Sequence, residues 1–171
     1  MSCDISAGRT LPCKDGIGGI KNVYFANYGA ISVTEEADDS ILATAFNLDP
    51  FYKYDINNGA SSLTQNIQSN KENGTTAFEQ VLELTLPRLS KEDNQQVKLL
   101  AFGRPHIVVE DYNGNFWLVG KENGCDVTGG SIVTGAAMGD LAGYTLTFTA
   151  MERKPANFID GDFITEANIT E

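Results

Sequence analysis

The chain has 171 residues, and its 23 acidic against 12 basic residues give a formal net charge of −11. A charge of this sign repels nucleic-acid phosphate, which argues against a DNA-binding surface of the usual basic kind. The length suits one domain with a buried core, and an apolar content of 42% leaves room for polar loops and arms. We therefore expect a single domain over residues 1–171.

Signals for export, membrane insertion and metal binding are missing from the sequence. The N-terminus, MSCDISAGRT, has no basic region followed by an apolar core, and no apolar run approaches the ~18 residues of a membrane span. The odd set Cys3, Cys13 and Cys125 contains no Cys-x-x-Cys and suits reduced thiols. A zinc site would need a fourth ligand, and His106 is the only histidine. We expect a soluble protein made and kept in a cytoplasm, with no membrane partner and no metal.

A polar lead-in precedes the first strands. Residues 1–21 are rich in glycine and poor in apolar anchors, so they predict an extended N-terminal arm. Beyond them, β-branched and aromatic residues favour short strands, whereas the acidic stretch TEEADDS favours a solvated loop. The predicted strand segments are 22–33, broken by Gly29, then 41–46 and 51–56, with Asp49-Pro50 between them.

Residues 57–76 contain only two large aliphatic side chains, Leu63 and Ile67. A polar connection of this length in a compact domain is usually functional, disordered or a projecting hairpin. The following sequence, AFEQVLELTLP, alternates between two faces and predicts a long strand. Its apolar face carries Phe78, Leu82, Leu84 and Leu86, and its polar face carries Glu79, Glu83 and Thr85.

Residues 90–102 predict one α-helix. Ser90 is a suitable N-cap, with Asp93 at the capping-box position and favourably placed at the positive helix start. Gly103 then ends the helix. The apolar stripe around Val97 is too narrow for a helix bundle, so we expect the helix to lie on one sheet.

A hairpin is predicted over residues 106–120, because Asn-Gly stands between two alternating apolar runs. A two-residue turn would place Val108 opposite Val119 and Glu110 opposite Trp117. Both faces then carry large apolar groups, so one packs in the core and the other is covered by a helix, an arm or a neighbouring subunit. The possible subunit-interface residues are Val108, Trp117, Val119, Leu63 and Ile67.

The glycine-rich stretch TGGSIVTGAAMGD (128–140) raises the question of a phosphate loop. Such a loop requires a helix N-terminus after the glycines, and here a strand follows. The glycines therefore indicate a flexible or closely packed connection between strands. In the strand that follows, Tyr144, Leu146 and Phe148 alternate with the threonines 145, 147 and 149, which predicts one threonine-lined face.

The acidic tail, residues 155–171, predicts a C-terminal arm and leaves residues 22–154 as the β-sandwich core. The expected fold class is mainly β (α+β): an antiparallel β-sandwich or barrel with one flanking helix at about 90–102 and extended terminal arms.

No motif predicts chemistry, so we expect no enzyme, no catalytic residue and no cofactor. His106 has no Gly-x-Ser-x-Gly nucleophile to serve. Residues 111–122 resemble a calcium loop, but Phe116 occupies the position that requires glycine. A different class stays open: a monomeric ligand-binding module, for example for carbohydrate, that uses Trp117, Tyr112 or residues 51–54 as a stacking surface.

Four phrases in a fixed order resemble, over residues 8–158, the tail tube proteins of tailed bacteriophages: GRTLPCKDGIGG, TTAFEQVLELTLPRLSKED, KLLAFGRPHIVVEDYNGNFWLVG and GCDVTGG…TGAAMGDLAGYTLTFTAMERKPANF. The resemblance implies a β-sandwich subunit of stacked, hexameric rings in the virion, whose inner strands join into a β-barrel around the channel for the genome. It implies copies of itself and other tail or neck proteins as partners, with DNA passing through unbound. Related folds serve as tail terminator, neck or connector rings and baseplate hub parts.

The resemblance also suggests which residues line the channel. The candidates are Glu79, Glu83, Thr145, Thr147 and Thr149, on the polar faces of the two clearest strands. An outward solvated face is an equally good interpretation, because alternation does not say which polar face is which.

Overall fold

A computed structural model describes residues 5, 7–31, 33, 35–36, 38–46, 50–56 and 59–170. Two β-sheets of seven and four strands form a sandwich with a flanking helix, so the predicted fold class is confirmed. Cys3 and three residues of predicted loops, Thr34, Asp49 and Asn57, lie outside the described residues.

The strands follow the chain in this order: β1 (Ile20–Ala26), β2 (Ile41–Leu42), β3 (Pro50–Asp55), β4 (Ser62–Asn70), β5 (Thr75–Pro87), β6 (His106–Asp111), β7 (Phe116–Val119), β8 (Asp126–Val133), β9 (Gly143–Glu152), β10 (Asn157–Asp160) and β11 (Asn168–Thr170). The helices are a 3-10 turn (Ala43–Phe46), α1 (Lys91–Phe102) and α2 (Phe163–Glu166). The seven-stranded sheet has the order β11-β3-β1-β6-β7-β10-β2, and the four-stranded sheet has the order β4-β5-β9-β8.

The inner core fills the space between the two sheets. Phe25 and Val109 reach it from the seven-stranded sheet, and Leu82 and Phe148 from the four-stranded sheet. Because neighbouring strand residues point to opposite sides, alternating apolar residues of β5 and β9 all face this core. The predicted apolar faces of these two strands are therefore present.

A second, outer core covers the other face of the seven-stranded sheet. Tyr24 and Val108 point into it, and Phe163 of α2 packs on the rings of Tyr24, Phe46 and Phe51 with centroids 5.1–5.5 Å apart. The 3-10 turn supplies Phe46, so the predicted strand over 41–46 is wrong beyond Leu42. Packing of Phe46 into the outer core outweighs the local preference for strand.

The helix begins and ends as its sequence predicts. The Ser90 side chain accepts a hydrogen bond from the Asp93 N–H at 2.9 Å, and the Gly103 N–H donates to the Leu99 carbonyl. Val97 is buried in the inner core, which fixes the helix on the sandwich. The Tyr144 hydroxyl adds a hydrogen bond to the Ser90 carbonyl, which joins the helix start to β9.

The hairpin of β6 and β7 exists, but its predicted register is wrong by one residue. Val108 pairs with Leu118 and Glu110 with Phe116, because the loop has three residues instead of two. The Asp111 carboxylate accepts from the N–H groups of Asn113 and Asn115, and Gly114 takes a φ of 82°. A type I turn followed by a left-handed glycine gives this longer loop.

The predicted C-terminal arm over 155–171 is wrong, because the tail folds back on the domain. β10 pairs with β7 and with β2, β11 pairs in parallel with β3, and α2 covers the outer core. An acidic tail can be integrated in this way since its few apolar residues, chiefly Phe163 and Ile159, are the ones that are buried.

Two segments do extend from the sandwich. Residues 7–19 are exposed and precede β1, as the predicted N-terminal arm requires. The polar connection forms a hairpin of β4 and β5, whose tip extends beyond β9 because β9 pairs with β5 only as far as Phe78. Of the three interpretations of that connection, the projecting hairpin is the observed one.

Candidate functional site

The four-stranded sheet turns one uncovered face outward, and we call it the polar face. It consists of the outward side chains of β4, β5, β9 and β8; in β5 and β9 they alternate with residues buried in the inner core, whereas β4 and β8 at the edges are more exposed. Val81 and Met151 are its larger apolar members. Its polar members are Ser62, Thr64, Asn66, Gln68, Glu79, Glu83, Thr85, Asp126, Thr128, Ser131, Thr145, Thr147 and Thr149.

The structure brings all five predicted channel-lining residues together on this face. Glu83 pairs directly with Thr147, and directly paired residues of neighbouring strands point to the same side. Glu79 lies on the same side of β5, and Thr145 and Thr149 lie on the same side of β9. The two strands that the sequence indicated separately therefore contribute to one surface.

Side-chain hydrogen bonds link neighbouring strands across the polar face. The hydroxyl oxygens of Thr128 and Thr149 are 2.9 Å apart, and those of Ser131 and Thr145 are 2.7 Å apart. The Glu79 carboxylate accepts from Gln68 of β4 at 3.2 Å. The hydroxyl groups are thus held in pairs, which makes an ordered hydrophilic surface.

The charge of the polar face has one sign. None of the strands β4, β5, β8 and β9 contains a lysine or an arginine, although the chain has 12 of them. Glu79, Glu83 and Asp126 supply negative charge. Such a surface repels phosphate and offers it no ion pair.

Among the described residues, neither edge of the four-stranded sheet pairs with a further strand, although α1 contacts β8. β4 and β8 each pair on one side only, and they are nine and eight residues long. The edges of the other sheet are β11 and β2, with three and two residues. A long edge strand presents a row of backbone donors and acceptors that can pair with another chain, whereas a short one does not.

The glycine-rich stretch lies at one of these edges. A side chain on Gly130 would meet the Thr145 carbonyl at 2.5 Å, so glycine permits close packing of β8 on β9. In the loop after β8, the N–H groups of Ala136 and Ala137 both donate to the Asp140 carboxylate. These two backbone N–H groups are therefore occupied by Asp140 of the same loop and do not offer a phosphate site.

The predicted interface residues fall into three groups. Val108 and Val119 have 0% and 1% of their surface exposed, in the outer and inner cores, so the prediction that they contact another subunit is wrong. Trp117 and Leu63 are half-buried, and Trp117 packs on Phe158 with ring centroids 3.8 Å apart. Ile67 is 68% exposed on the projecting hairpin and is available for contact.

The aromatic residues suggested for ligand stacking do not form one platform. Phe51 is fully buried in the outer core, while Tyr52 and Tyr54 line a groove beside α1. Trp117 lies elsewhere, against Phe158, and Tyr112 lies in the loop between β6 and β7.

His106 and Cys125 are buried parts of the framework. His106 bonds through Nδ1 to the Gly120 carbonyl at 2.6 Å, and its Nε2 accepts from the Gly29 N–H at 3.1 Å. This arrangement requires a neutral ring, and burial lowers the pKa of His106. Burial also raises the pKa of the Cys125 thiol. The described residues contain no group of three or more histidine, cysteine or acidic side chains that could hold a metal.

Two charge clusters are not predictable from the sequence, because their members are far apart in the chain. Glu35 accepts hydrogen bonds from Lys121 and Lys154, which lower its pKa to about 2. Glu110 is buried and accepts from Lys21, Asn22 and Tyr24. No local pattern predicts such clusters, since each joins strands or loops that meet only in the fold.

No family model matches the sequence, and no curated protein matches it either. Within the described part of the chain, no helix is both long and apolar enough to cross a membrane.

Proposed function

We propose that the chain is a structural subunit of a bacteriophage tail tube, which assembles into stacked rings whose channel is lined by the polar face. The observation that carries the proposal is this face itself: four strands with hydroxyl groups, carboxylates and no basic side chain. A conduit for DNA must not hold the phosphate backbone, because basic contacts would bind it. The protein has a structural role and leaves the virion's DNA unbound.

The open edges of the four-stranded sheet support ring formation. β4 of one copy can pair with β8 of the next, and this contact joins two different surfaces of the same chain. Contacts of this head-to-tail kind close into rings or continue into filaments. The sheet would then extend from copy to copy, with the polar face on one continuous side.

The two projecting segments support stacking of the rings. Two exposed segments extend away from the sandwich: the tip of the β4–β5 hairpin and the N-terminal arm, residues 7–19. Ile67 gives the hairpin an apolar side chain with 68% exposure, which suits a contact with a neighbouring copy.

The primary test is light scattering on a sizing column with negative-stain images of the same fractions. We expect rings, or tubes with an axial hole. Single rings that never stack would favour a terminator or connector ring instead. A protein that stays monomeric at all concentrations, even with preformed tail ends as initiators, would contradict the proposal.

A charge-reversal variant tests the orientation of the polar face. In assembled particles, E79K/E83K places lysines in the channel, so we expect DNA oligonucleotides to be retained at low salt and released at high salt. The matched control is E92K/E122K, which makes the same change of charge at exposed positions away from the polar face. Equal DNA retention by both variants would show that the face does not line the channel.

The alternative of a monomeric carbohydrate-binding module has less support. Its aromatic side chains are divided between the outer core, the α1 groove and the Trp117–Phe158 pair. Saturable binding of a sugar by a stable monomer would favour it over the tube subunit.

A further inference from the structure

A groove of about 470 Å³ lies between α1 and the ends of β1 and β3. Its walls are mostly aromatic and aliphatic, and several of them are open to solvent: Tyr28 is 52% exposed and Leu99 is 57% exposed. The groove therefore leaves apolar surface uncovered beside α1, which is already held on the sandwich by the buried Val97. Its main lining residues are Tyr28, Tyr52, Tyr54, Leu99, Leu100 and Arg104.

The two ends of this tyrosine groove carry opposite charges. At one end the Arg104 guanidinium lies over the Tyr28 ring, 5.3 Å from its centroid. At the other end is Asp93, in the first turn of α1. Asp93 lies one helical turn before Gln96, which lines the groove, so the two residues lie on the same side of α1. Burial and, secondarily, the Asp93 carboxylate raise the pKa of Tyr54. From Asp93 to Phe102 the helix spans roughly 14 Å, and the extended Gly103 and then Arg104 beyond its end add up to roughly 7 Å.

The N-terminal arm has matching features. Residues 7–16 are exposed throughout, and Leu11, followed by Pro12, has 98% of its surface exposed. Arg9 precedes this pair, and Lys14 and then Asp15, the acid of this segment, follow it. In an extended polyproline-like conformation the six steps from Arg9 to Asp15 span roughly 19 Å. The charged and apolar groups of the arm thus match those of the groove in order and spacing. Arg9 corresponds to Asp93, Leu11-Pro12 to the tyrosine wall, and Asp15 to Arg104.

The arm is held at the wrong end of β1 to occupy its own groove directly. Asn113 fixes it by two hydrogen bonds to the backbone of Ile17, at 2.9 and 2.6 Å. The groove begins at Phe25 and Ala26, at the other end of β1 and roughly 17 Å from Ile20. Both sides of β1 are already paired, by β3 and β6. A groove on another copy is the geometrically simpler destination.

We propose that the N-terminal arm of one copy binds in the tyrosine groove of a second copy, with Leu11-Pro12 on the tyrosines, Arg9 at Asp93 and Asp15 at Arg104. Aromatic-lined grooves bind extended proline-containing segments because such segments lose little conformational entropy on binding. The inference deepens the proposed function, since it names the surface that a terminal arm uses between copies.

Charge and symmetry agree with this contact. Residues 7–19 carry two basic residues and one acidic residue, whereas the whole chain has a net charge of −11, so the arm is attracted to another copy. Arm-in-groove contact joins two different surfaces and can therefore continue from copy to copy.

A native cysteine in the arm provides the test. The proposed alignment places Cys13, which is exposed, beside the third turn of α1, near Leu99. In a C3S background, L99C should form a disulfide between two copies under mild oxidation, visible as a cross-linked dimer or ladder on a non-reducing gel. The additional change C13S should abolish it. K98C is the matched control, because Lys98 is the exposed neighbour of Leu99 and points about 100° away around the helix.

Charge reversal supplies a second, independent measurement. R104E should lower the yield of the Cys13–L99C cross-link about fivefold, because Asp15 then meets a like charge. D15R in the same chain should restore the yield. Equal cross-linking through K98C and L99C, an intramolecular disulfide instead of an intermolecular one, or no rescue by D15R would each overturn the inference.

The same samples separate this inference from the proposed function. Rings or tubes that form without a specific cross-link would overturn the arm-in-groove contact and leave the tube subunit standing. Specific cross-linking in a protein that forms neither rings nor tubes would support the arm-in-groove contact and contradict the tube subunit.

Discussion

The two sheets of the sandwich are completed differently. The seven-stranded sheet is covered on both faces, by the inner core and by an outer core that the tail residue Phe163 fills. Among the described residues, the four-stranded sheet is covered on one face only, and Thr145, Thr147 and Thr149 of β9 point outward. Three of the four sheet faces are therefore packed in the described fold, and the fourth is exposed.

The edges of the sheets differ in the same sense. The doubly covered sheet ends in strands of three and two residues, which offer little backbone to a neighbour. The sheet with the polar face ends in strands of nine and eight residues. Natural proteins usually protect long edges of this kind. Among the described residues, two long edge strands and an uncovered face occur on the same sheet, a combination that would suit the ring assembly we propose.

Removing the cover of the outer core should have the largest effect on stability. F163A leaves a cavity among Tyr24, Phe46 and Phe51, so we expect a loss of about 3–5 kcal/mol in the free energy of unfolding. Urea denaturation followed by tryptophan fluorescence measures it. The neighbouring I164A is the control, because Ile164 is half exposed and should change stability far less. Equal effects would mean that α2 does not form a core.

The buried carboxylate of the doubly covered sheet gives the next largest effect. E110A removes the acceptor of Asn22, whose amide donates at 2.7 Å, and of Tyr24, whose hydroxyl donates at 2.9 Å. We expect a loss of about 2–3 kcal/mol, because buried donors to a charged acceptor would be left unpaired. E83A, an acid on the polar face, should change the free energy of unfolding by no more than about 0.5 kcal/mol. A similar loss in both variants would remove the difference between the sheets.

The sequence predicts well what is decided within one strand or one helix. The alternation of β5 and β9 gave the correct faces, and Ser90 with Asp93 gave the correct start of α1, because these features depend on near neighbours. The same local patterns placed the five channel-lining candidates on the polar faces of two separate strands, β5 and β9. Only the pairing of β5 with β9 shows that the polar faces of these two strands lie on the same side of the sheet.

What the sequence did not predict depends on contacts between distant segments or on one side chain. The Asn113-Gly114 pair fits loops of two or three residues, and the Asp111 carboxylate selects the longer one by accepting two backbone N–H groups. The acidic tail predicts an arm, because the parallel pairing of β11 with β3 joins residues far apart in the chain and has no local pattern. The two apolar faces of the predicted hairpin indicate a second covered face, but they do not show that Phe163 of the tail covers it.

His106, the first residue of β6, should make the free energy of unfolding depend on pH. Burial lowers the pKa of His106 below its unfolded value of about 6.5, so the unfolded chain binds more protons below that pH. Its contribution is therefore complete above about pH 6.5 and is lost as the pH falls toward the folded-state pKa. We expect a slope of at most ~1.4 kcal/mol per pH unit in the free energy of unfolding.

Urea titrations from pH 5 to 8 measure this slope, and H106Q is the control. Glutamine can donate to the Gly120 carbonyl and accept from the Gly29 N–H without titrating, so the variant should lose the slope between pH 5 and 6.5. If H106Q keeps the wild-type slope, another group is responsible.

The smallest effect is expected on the polar face, and it sharpens the comparison most directly. T147V keeps the β-branched shape and removes one hydroxyl from a half-exposed, outward position opposite Glu83. We expect the free energy of unfolding to change by no more than about 0.5 kcal/mol, because this face is not packed in the single subunit. The adjacent L146A is the contrast: Leu146 points into the inner core, and its truncation should cost about 2–5 kcal/mol. A loss of more than ~1 kcal/mol in T147V, measured by urea denaturation of dilute monomer, would mean that the polar face contributes to folding and is not reserved for the channel.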